Sequence, residues 1–170
     1  MAAGPADRPL IFLDVDGPLI TFAARPTSQD GPAGLAAADL PDTFMNPLLD
    51  RLRPQDGRML AGLGCQLVWA TTWMADANEV VSPLIGLPDL PVVDWPDSDD
   101  EPRHGLHWKT TSLIRWAAGR PFVWLDDEIT DADRSWVAAH HPARALLHRV
   151  DPYVGFTGAD FSAIRRWLAE

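Results

Sequence analysis

The sequence predicts a doubly wound α/β domain, a three-layer α/β/α sandwich with a mainly parallel sheet. Short apolar runs recur along the chain without polar alternation, which is typical of strands buried on both faces of a parallel sheet. Helical patterns lie between these runs, and this alternation favours the doubly wound class. The length of 170 residues fits one domain, and a hydrophobic content of 46% is enough for a core.

The predicted strands are the apolar runs themselves. Three of them are well marked, at residues 10–15, 66–71 and 122–125, and two shorter runs lie at residues 91–93 and 145–150. In an open α/β sheet, ligands bind beyond the carboxyl ends of the strands. The polar residues that follow each run are therefore the first candidates for function.

Three helices are predicted from apolar spacing and from cap signals. The first ends at a stop signal, Gly119. The second begins at a capping box formed by Thr130 and Asp133 and continues through Ala139. The last follows Asp160. The apolar faces are formed by Leu113, Trp116 and Ala117 in the first helix and by Phe161, Ile164, Trp167 and Leu168 in the last.

A leader and two irregular segments depart from this alternation. Residues 1–9 are rich in Ala, Gly and Pro and are expected to form a flexible leader before a single domain at 10–170. Residues 21–46 form a flap-like excursion with several Pro and Gly residues, and residues 86–106 form a second irregular segment with an acidic run. His104 and His107, in and just after that segment, are interpreted as solvated loop histidines.

Charge and composition exclude several classes of protein. The chain has 14 Lys and Arg against 24 Asp and Glu, a net charge of −10 that disfavours nonspecific binding to nucleic acid or to anionic membranes. No apolar run is long enough to span a membrane. Cys65 is the single cysteine, which excludes an internal disulfide and fits a reducing compartment. We therefore expect a cytoplasmic protein.

Reactive side chains follow several of the predicted strands. They are Asp14 and Asp16 after the first, Thr71 and Thr72 after the second, Asp126, Asp127 and Glu128 after the run at 122–125, and Lys109 just before the helix that leads into that run. Carboxylates that meet at one edge of a sheet repel one another unless a cation lies among them. Mg²⁺ prefers oxygen ligands, whereas the absence of a thiolate or His cluster disfavours zinc. The sequence therefore predicts a magnesium site.

Four segments, FLDVDG, VWATTW, HWK and VWLDDE, together resemble the motifs of the haloacid dehalogenase-like superfamily. Its phosphatases carry a strand ending in DxDG, then Thr or Ser, then Lys, then an acidic pair. The match preserves order and strand context over residues 14–127, about two thirds of the chain. The resemblance implies a Rossmann-like domain of this superfamily. The intervals between motifs are short, so we expect a small member with no large cap domain.

The resemblance also implies a role for each matching residue. Asp14 would be the nucleophile that forms an aspartyl-phosphate. Asp16 would protonate the leaving oxygen and then deprotonate the attacking water. Thr71 would orient the phosphoryl oxygens, with Thr72 as the alternative, and Lys109 would neutralise charge on Asp14 and on the phosphoryl group.

The metal ligands implied by the resemblance are carboxylates and one carbonyl. They are the carboxylate of Asp14, the main-chain carbonyl of Asp16 and one acid of the pair Asp126 and Asp127. The pattern favours Asp127 as the ligand and Asp126 as the partner of Lys109, and it leaves both acids as candidates.

Further residues are candidates for substrate binding. Gly17 has no side chain, so it would let main-chain N–H groups approach phosphate oxygens. Arg25, in the flap-like excursion, is a candidate for a substrate anion, with a surface role as the alternative. Trp73, Trp95 and Trp108 are candidates for stacking on a substrate ring, with buried packing as the alternative.

These observations together predict a Mg²⁺-dependent phosphatase that acts through an aspartyl-phosphate on Asp14. A phosphotransferase or phosphomutase of the same superfamily is the first alternative. A receiver-type signalling domain is the second, although receivers place an acidic pair before the acceptor Asp, whereas DVDG leads here. The partner is expected to be a phosphorylated substrate, and the sequence leaves its class and the oligomeric state open.

Overall fold

The computed structural model describes residues 8–24, 46–96 and 105–170. These residues form a four-stranded, wholly parallel sheet in the order β2-β1-β3-β4. The strands are β1 (Leu10–Leu13), β2 (Gln66–Trp69), β3 (Phe122–Asp126) and β4 (Ala145–Arg149). The predicted α/β class with a parallel sheet is confirmed.

Helices connect the strands and cover both faces of the sheet. A 3-10 helix (Pro47–Arg51) and α1 (Pro54–Ala61) precede β2, and a π-helical segment (Ala77–Val81) leads into α2 (Ser82–Ile85). The remaining helices are α3 (Thr110–Ala117), α4 (Asp131–His140) and α5 (Gly158–Ala169). Because consecutive parallel strands need such crossovers, this order is the one that alternating apolar runs and helical patterns favour.

Side chains of β1 alternate between two hydrophobic cores. Ile11 and Leu13 belong to a core that also contains residues of α1, α2 and α5, whereas Leu10 and Phe12 belong to a core with residues of α3 and α4. All four are fully buried. A strand buried on both faces in this way fixes the position of the residues that follow it, beginning with Asp14.

The run at residues 91–93, predicted as a short strand, is instead a single bridge between Val92 and Trp69 beside β2. Pro91 has no N–H to donate to a ladder, so it contributes only its carbonyl, which accepts a hydrogen bond from Trp69. The stop predicted at Gly119 is one residue late, because Ala118 is already in the left-handed conformation, with φ of 50°.

Both predicted cap signals lie at helix starts. The capping box of Thr130 and Asp133 begins α4, as predicted. The last helix starts earlier than expected, because Thr157 is its N-cap and Asp160 is the third residue of the helix, closing a second capping box. Asp160 therefore lies inside α5 and does not precede it.

Parts of the predicted irregular segments lie outside the described residues. These parts are residues 1–7 of the leader, 25–45 of the flap-like excursion and 97–104 of the second segment, so the predicted division into a leader, one domain and a flap stays a prediction. Within the described ranges, no helix has the length and apolar character needed to cross a bilayer.

Candidate active site

The turn that follows β1 places two acids at the carboxyl edge of the sheet. The main-chain N–H of Asp14 still donates to Leu125 of β3 (3.1 Å), so Asp14 continues the line of the strand and is buried. Asp16 is exposed. The N–H of Gly17 donates to Ile20 (2.9 Å), which closes the turn. Asp14 therefore faces the interior of the site while Asp16 faces its opening.

Gly17 is required for a close approach to Asp127. Its φ is 97°, and a Cβ at this position would lie 2.6 Å from Cγ of Asp127. Its own N–H is bonded within the turn. The need for glycine thus comes from the positive φ and from contact with the carboxylate after β3, a reason that the DxDG pattern does not reveal.

Lys109 connects the acid after β1 to the acid at the end of β3. Its Nζ lies 3.1 Å from Oδ1 of Asp14 and 2.8 Å from Oδ2 of Asp126, and the residue is only 3% exposed. Asp126 also accepts hydrogen bonds from the Trp124 indole (3.3 Å) and from the main chain of Glu128 (3.0 Å). Asp126 is therefore in the position expected for the partner of Lys109.

Burial and neighbouring charges perturb the acids of this site. Burial raises the pKa of Asp14 to about 8, with Lys109 opposing the rise and Asp126 adding to it. Burial also raises the pKa of Asp127 to about 6, with Asp126 as the second cause. Burial alone would lower the pKa of Lys109, but Asp14 and Asp126 outweigh it and raise the pKa overall. Three carboxylates share one ammonium, a charge imbalance that favours a cation.

The donor set fits a hard divalent cation. Asp14, Asp126 and Asp127 each offer a carboxylate oxygen, and these oxygens lie within 4.8 Å of one another. Oxygen ligands of this kind suit Mg²⁺. His107, Asp126 and Glu128 form a second such group. There, however, the imidazole Nε2 lies 3.0 Å from the Glu128 carboxylate, so these two side chains already bind each other.

His107 is not the solvated loop residue that the sequence suggested. Its side chain is 7% exposed, and Nδ1 accepts a hydrogen bond from the main-chain N–H of Lys109 (3.2 Å). Nε2 then carries the ring proton toward Glu128. His107 thus connects the turn that presents Lys109 to an acid at the rim of the site. Only its position two residues before Lys109 could have indicated this.

The two threonines after β2 have different environments. Thr71 is fully buried; its Oγ1 accepts the main-chain N–H of Trp73 (3.2 Å), and its carbonyl accepts the Trp95 indole N–H (3.0 Å). Thr72 is exposed and lines the pocket beside Asp14. Trp73 donates its indole N–H to Oδ2 of Asp16 (3.1 Å), so it holds this acid in place.

The acids and the lysine line one cavity of about 140 Å³. Its wall contains the acids Asp14, Asp16, Asp127 and Glu128, together with Lys109, Thr72 and the aromatic residues Phe22 and Trp108. The structure therefore brings together most of the predicted site residues. Arg25 lies outside the described residues, so its predicted role stays a prediction.

A comparison with known protein families shows which family the chain belongs to. A family model described as the HAD domain in Swiss Army Knife RNA repair proteins matches residues 10–161, from the first residue of β1 into α5. The chain belongs to this family. The matched range contains every motif named above, and the haloacid dehalogenase-like membership expected from those motifs is confirmed. Membership supports a hydrolase of the phosphatase type. No curated protein matches the chain.

Proposed function

We propose that this protein is a Mg²⁺-dependent phosphatase that hydrolyses a phosphoric monoester through an aspartyl-phosphate on Asp14. The observation that carries the proposal is the placement of the Lys109 ammonium between Asp14 and Asp126, at 3.1 and 2.8 Å, at the wall of a cavity rich in acids. Phosphoryl transfer needs a positioned nucleophile and positive charge around the phosphoryl oxygens, and this arrangement supplies both.

The first step is attack by Asp14 on phosphorus. The hydrogen bonds to its carboxylate from Val15 N (2.9 Å) and Lys109 Nζ both reach Oδ1, so Oδ2 is the attacking oxygen in this proposal. A bond forms between Oδ2 and phosphorus as the bond from phosphorus to the leaving oxygen breaks. Asp16, held by the Trp73 indole, gives its proton to that oxygen.

The second step hydrolyses the intermediate. Asp16, now ionised, takes a proton from a water molecule, whose oxygen bonds to phosphorus as the bond to Asp14 breaks. Inorganic phosphate leaves, and both acids return to their initial states. Of the two predicted threonines, Thr71, the first choice, is fully buried and accepts a hydrogen bond within the turn, whereas the alternative, Thr72, lines the cavity, so the proposal gives the contact with the phosphoryl oxygens to Thr72.

The carboxylates of Asp14 and Asp127 and the carbonyl of Asp16 would hold Mg²⁺, as in similar enzymes. When bound, the ion supplies positive charge that neutralises the phosphoryl oxygens and keeps the nearby carboxylates ionised. Asp126 is engaged by Lys109 and serves to position it. A metal also resolves the electrostatics, since burial otherwise raises the pKa of Asp14 to about 8 and keeps much of the nucleophile protonated at neutral pH.

The matching family's description points to RNA repair, so we propose a terminal phosphate of RNA as the substrate class. The net charge of −10 gives RNA no general attraction, which means that recognition must be local to the end of the strand. A cytoplasmic location stays a prediction that depends on the single cysteine.

The test measures inorganic phosphate released from oligoribonucleotides with a 5′- or a 3′-terminal phosphate, with Mg²⁺ or with a chelator. We expect Mg²⁺-dependent release that falls about a thousand-fold or more in Asp14→Asn. Asp131→Asn is the matched control, because this substitution also changes a carboxylate to an amide, but at a side chain of α4 that is 98% exposed. Release that survives Asp14→Asn would refute the covalent mechanism. Release that appears only with an added acceptor would favour phosphotransfer.

A further inference from the structure

Two exposed aromatic rings line the mouth of the acidic cavity. Phe22 is 53% exposed and Trp108 is 41% exposed, and both contribute to the wall that contains Asp14 and Lys109. A large apolar side chain left in water contributes little to folding, and exposed apolar surface beside a polar pocket is typical of a binding site. These two rings are therefore candidates for contact with a ligand.

The two rings pack against different segments of the protein. Phe22 donates its main-chain N–H to the loop after β4 (2.8 Å) and packs edge-on against Tyr153 of that loop. Trp108 packs edge-on against Trp95, with ring centroids 4.8 Å apart, in the segment that follows the bridge beside β2. The two rings therefore contact segments that follow opposite edge strands of the sheet, β4 and β2, whereas Asp14 follows β1, which lies between these strands.

The cavity offers a leaving group little positive charge. Of the described residues that line it, only Lys109 is cationic, and its ammonium is buried against Asp14 and Asp126. The carboxylates at the opening repel further anionic groups of a substrate. A planar ring, in contrast, stacks on an aromatic side chain whatever the surrounding charge, and one such stack raises affinity about 5- to 150-fold.

We infer that Phe22 and Trp108 clamp a nucleobase carried by the leaving group of the phosphoric ester. The inference rests on the proposed function and deepens it, because it states what the protein recognises beyond the phosphate. The rings are specificity residues and take no part in the chemical step. A nucleobase next to a phosphoric ester occurs both in a free nucleotide and at the end of an RNA strand.

The test measures binding by titration calorimetry with Mg²⁺ present, in Asp14→Asn protein so that no ligand is consumed. The ligands are adenosine 5′-monophosphate, adenosine 3′-monophosphate and ribose 5-phosphate, which is the first ligand without its base. We expect at least one nucleotide to bind about 10-fold or more tightly than ribose 5-phosphate. Phe22→Leu and Trp108→Leu should each reduce this preference, whereas Trp108→Phe, which keeps a ring, should retain most of it.

Trp136→Leu is the control, because Trp136 is an indole of α4 that stacks on His140. The ring of Trp108 also lies 5.5 Å from Nζ of Lys109, so its loss could weaken phosphate binding in general. If Trp108→Leu lowers the affinity for ribose 5-phosphate and for the nucleotides equally, Trp108 supports phosphate binding in general, and the clamp is overturned. Equal or absent binding of all three ligands, or a preference that survives both leucine variants, would also overturn it.

Failure of the clamp and failure of the proposed phosphatase function are distinguishable, because binding to the Asp14→Asn protein needs no hydrolysis. A base preference without phosphate release by the unsubstituted protein would contradict the proposed function and support the clamp. An oligoribonucleotide with a terminal phosphate separates the two sources of the base. Tighter binding than the mononucleotide indicates an RNA end, and equal or weaker binding indicates a free nucleotide.

Discussion

Replacing Gly17 with alanine tests how closely the turn after β1 must fit against Asp127. With φ of 97°, Gly17 has a backbone conformation that costs a residue with a side chain about 1–2 kcal/mol. The new Cβ would also lie 2.6 Å from Cγ of Asp127, and overpacking of this kind costs about 1–3 kcal/mol. We expect Gly17→Ala to lower the free energy of unfolding by about 2–5 kcal/mol in total. It should also weaken Mg²⁺ binding, because Asp127 must move.

Gly64→Ala is the matched control for this experiment. Gly64 has φ of 70° and no atom within 4 Å of a Cβ built on it, and it precedes β2, at the opposite edge of the sheet from the site. This variant therefore carries the backbone strain without the contact. Urea unfolding gives the two stability losses, and phosphate release against Mg²⁺ concentration gives the half-saturation. Equal stability losses and an unchanged Mg²⁺ dependence in Gly17→Ala would refute the reasoning.

Three further variants test other contacts of the site. Lys109→Met leaves two buried carboxylates without their ammonium, so the free energy of unfolding of the metal-free protein in urea should fall by about 3–5 kcal/mol. An unchanged urea midpoint would show that the two ion pairs of Lys109 do not stabilise the fold. Burial alone would raise the pKa of Asp133, but hydrogen bonds from Thr110 and a second threonine outweigh burial and lower the pKa overall. The ionised acid therefore stabilises the fold at pH values above its ordinary pKa of 3.8, and this stabilisation is lost as the pH falls below 3.8 and through the lowered pKa. Asp133→Asn should therefore lose about 1–3 kcal/mol at neutral pH, and a deficit that does not shrink in acid would contradict this assignment. Trp73→Phe removes the indole donor to Asp16 and should lower kcat about 5- to 10-fold with little change in KM, whereas a change confined to KM would show that Trp73 binds substrate instead.

The strands and the last two helices follow from local patterns, but α1 and α2 do not. The four β-strands form from apolar runs, and both capping boxes lie at helix starts. In contrast, α1 begins with Pro-Gln-Asp-Gly, which locally favours a turn. Gly57 is helical because it packs against the backbone of Ile85 in α2, where a Cβ would not fit. That contact joins segments 28 residues apart, so no local pattern indicates it.

The order of the motifs predicts which acids meet the lysine, but the residues that orient them depend on tertiary packing. Asp14 follows β1 and Asp126 ends the neighbouring strand β3, so their convergence on Lys109 follows from the topology. The indole that holds Asp16 belongs to Trp73, 57 residues away, and its direction depends on how the turn after β2 packs. His107 was missed for the same reason, because its ring packs against Trp124 of β3 and its main-chain N–H donates to Asp133 of α4.

Metal and protons compete for the same carboxylates. Asp14, Asp126 and Asp127, when ionised, leave two negative charges beyond the one that Lys109 neutralises, and one divalent cation balances them. Without that cation, burial raises the pKa of Asp14 to about 8 and that of Asp127 to about 6, so the two acids tend to retain protons and the site carries less charge. We therefore expect binding of the proposed Mg²⁺ to release these protons and to strengthen as the pH rises through this range. Once these protons are lost, the ionised carboxylates repel a phosphate dianion, so we expect the proposed metal to bind before the substrate or together with it.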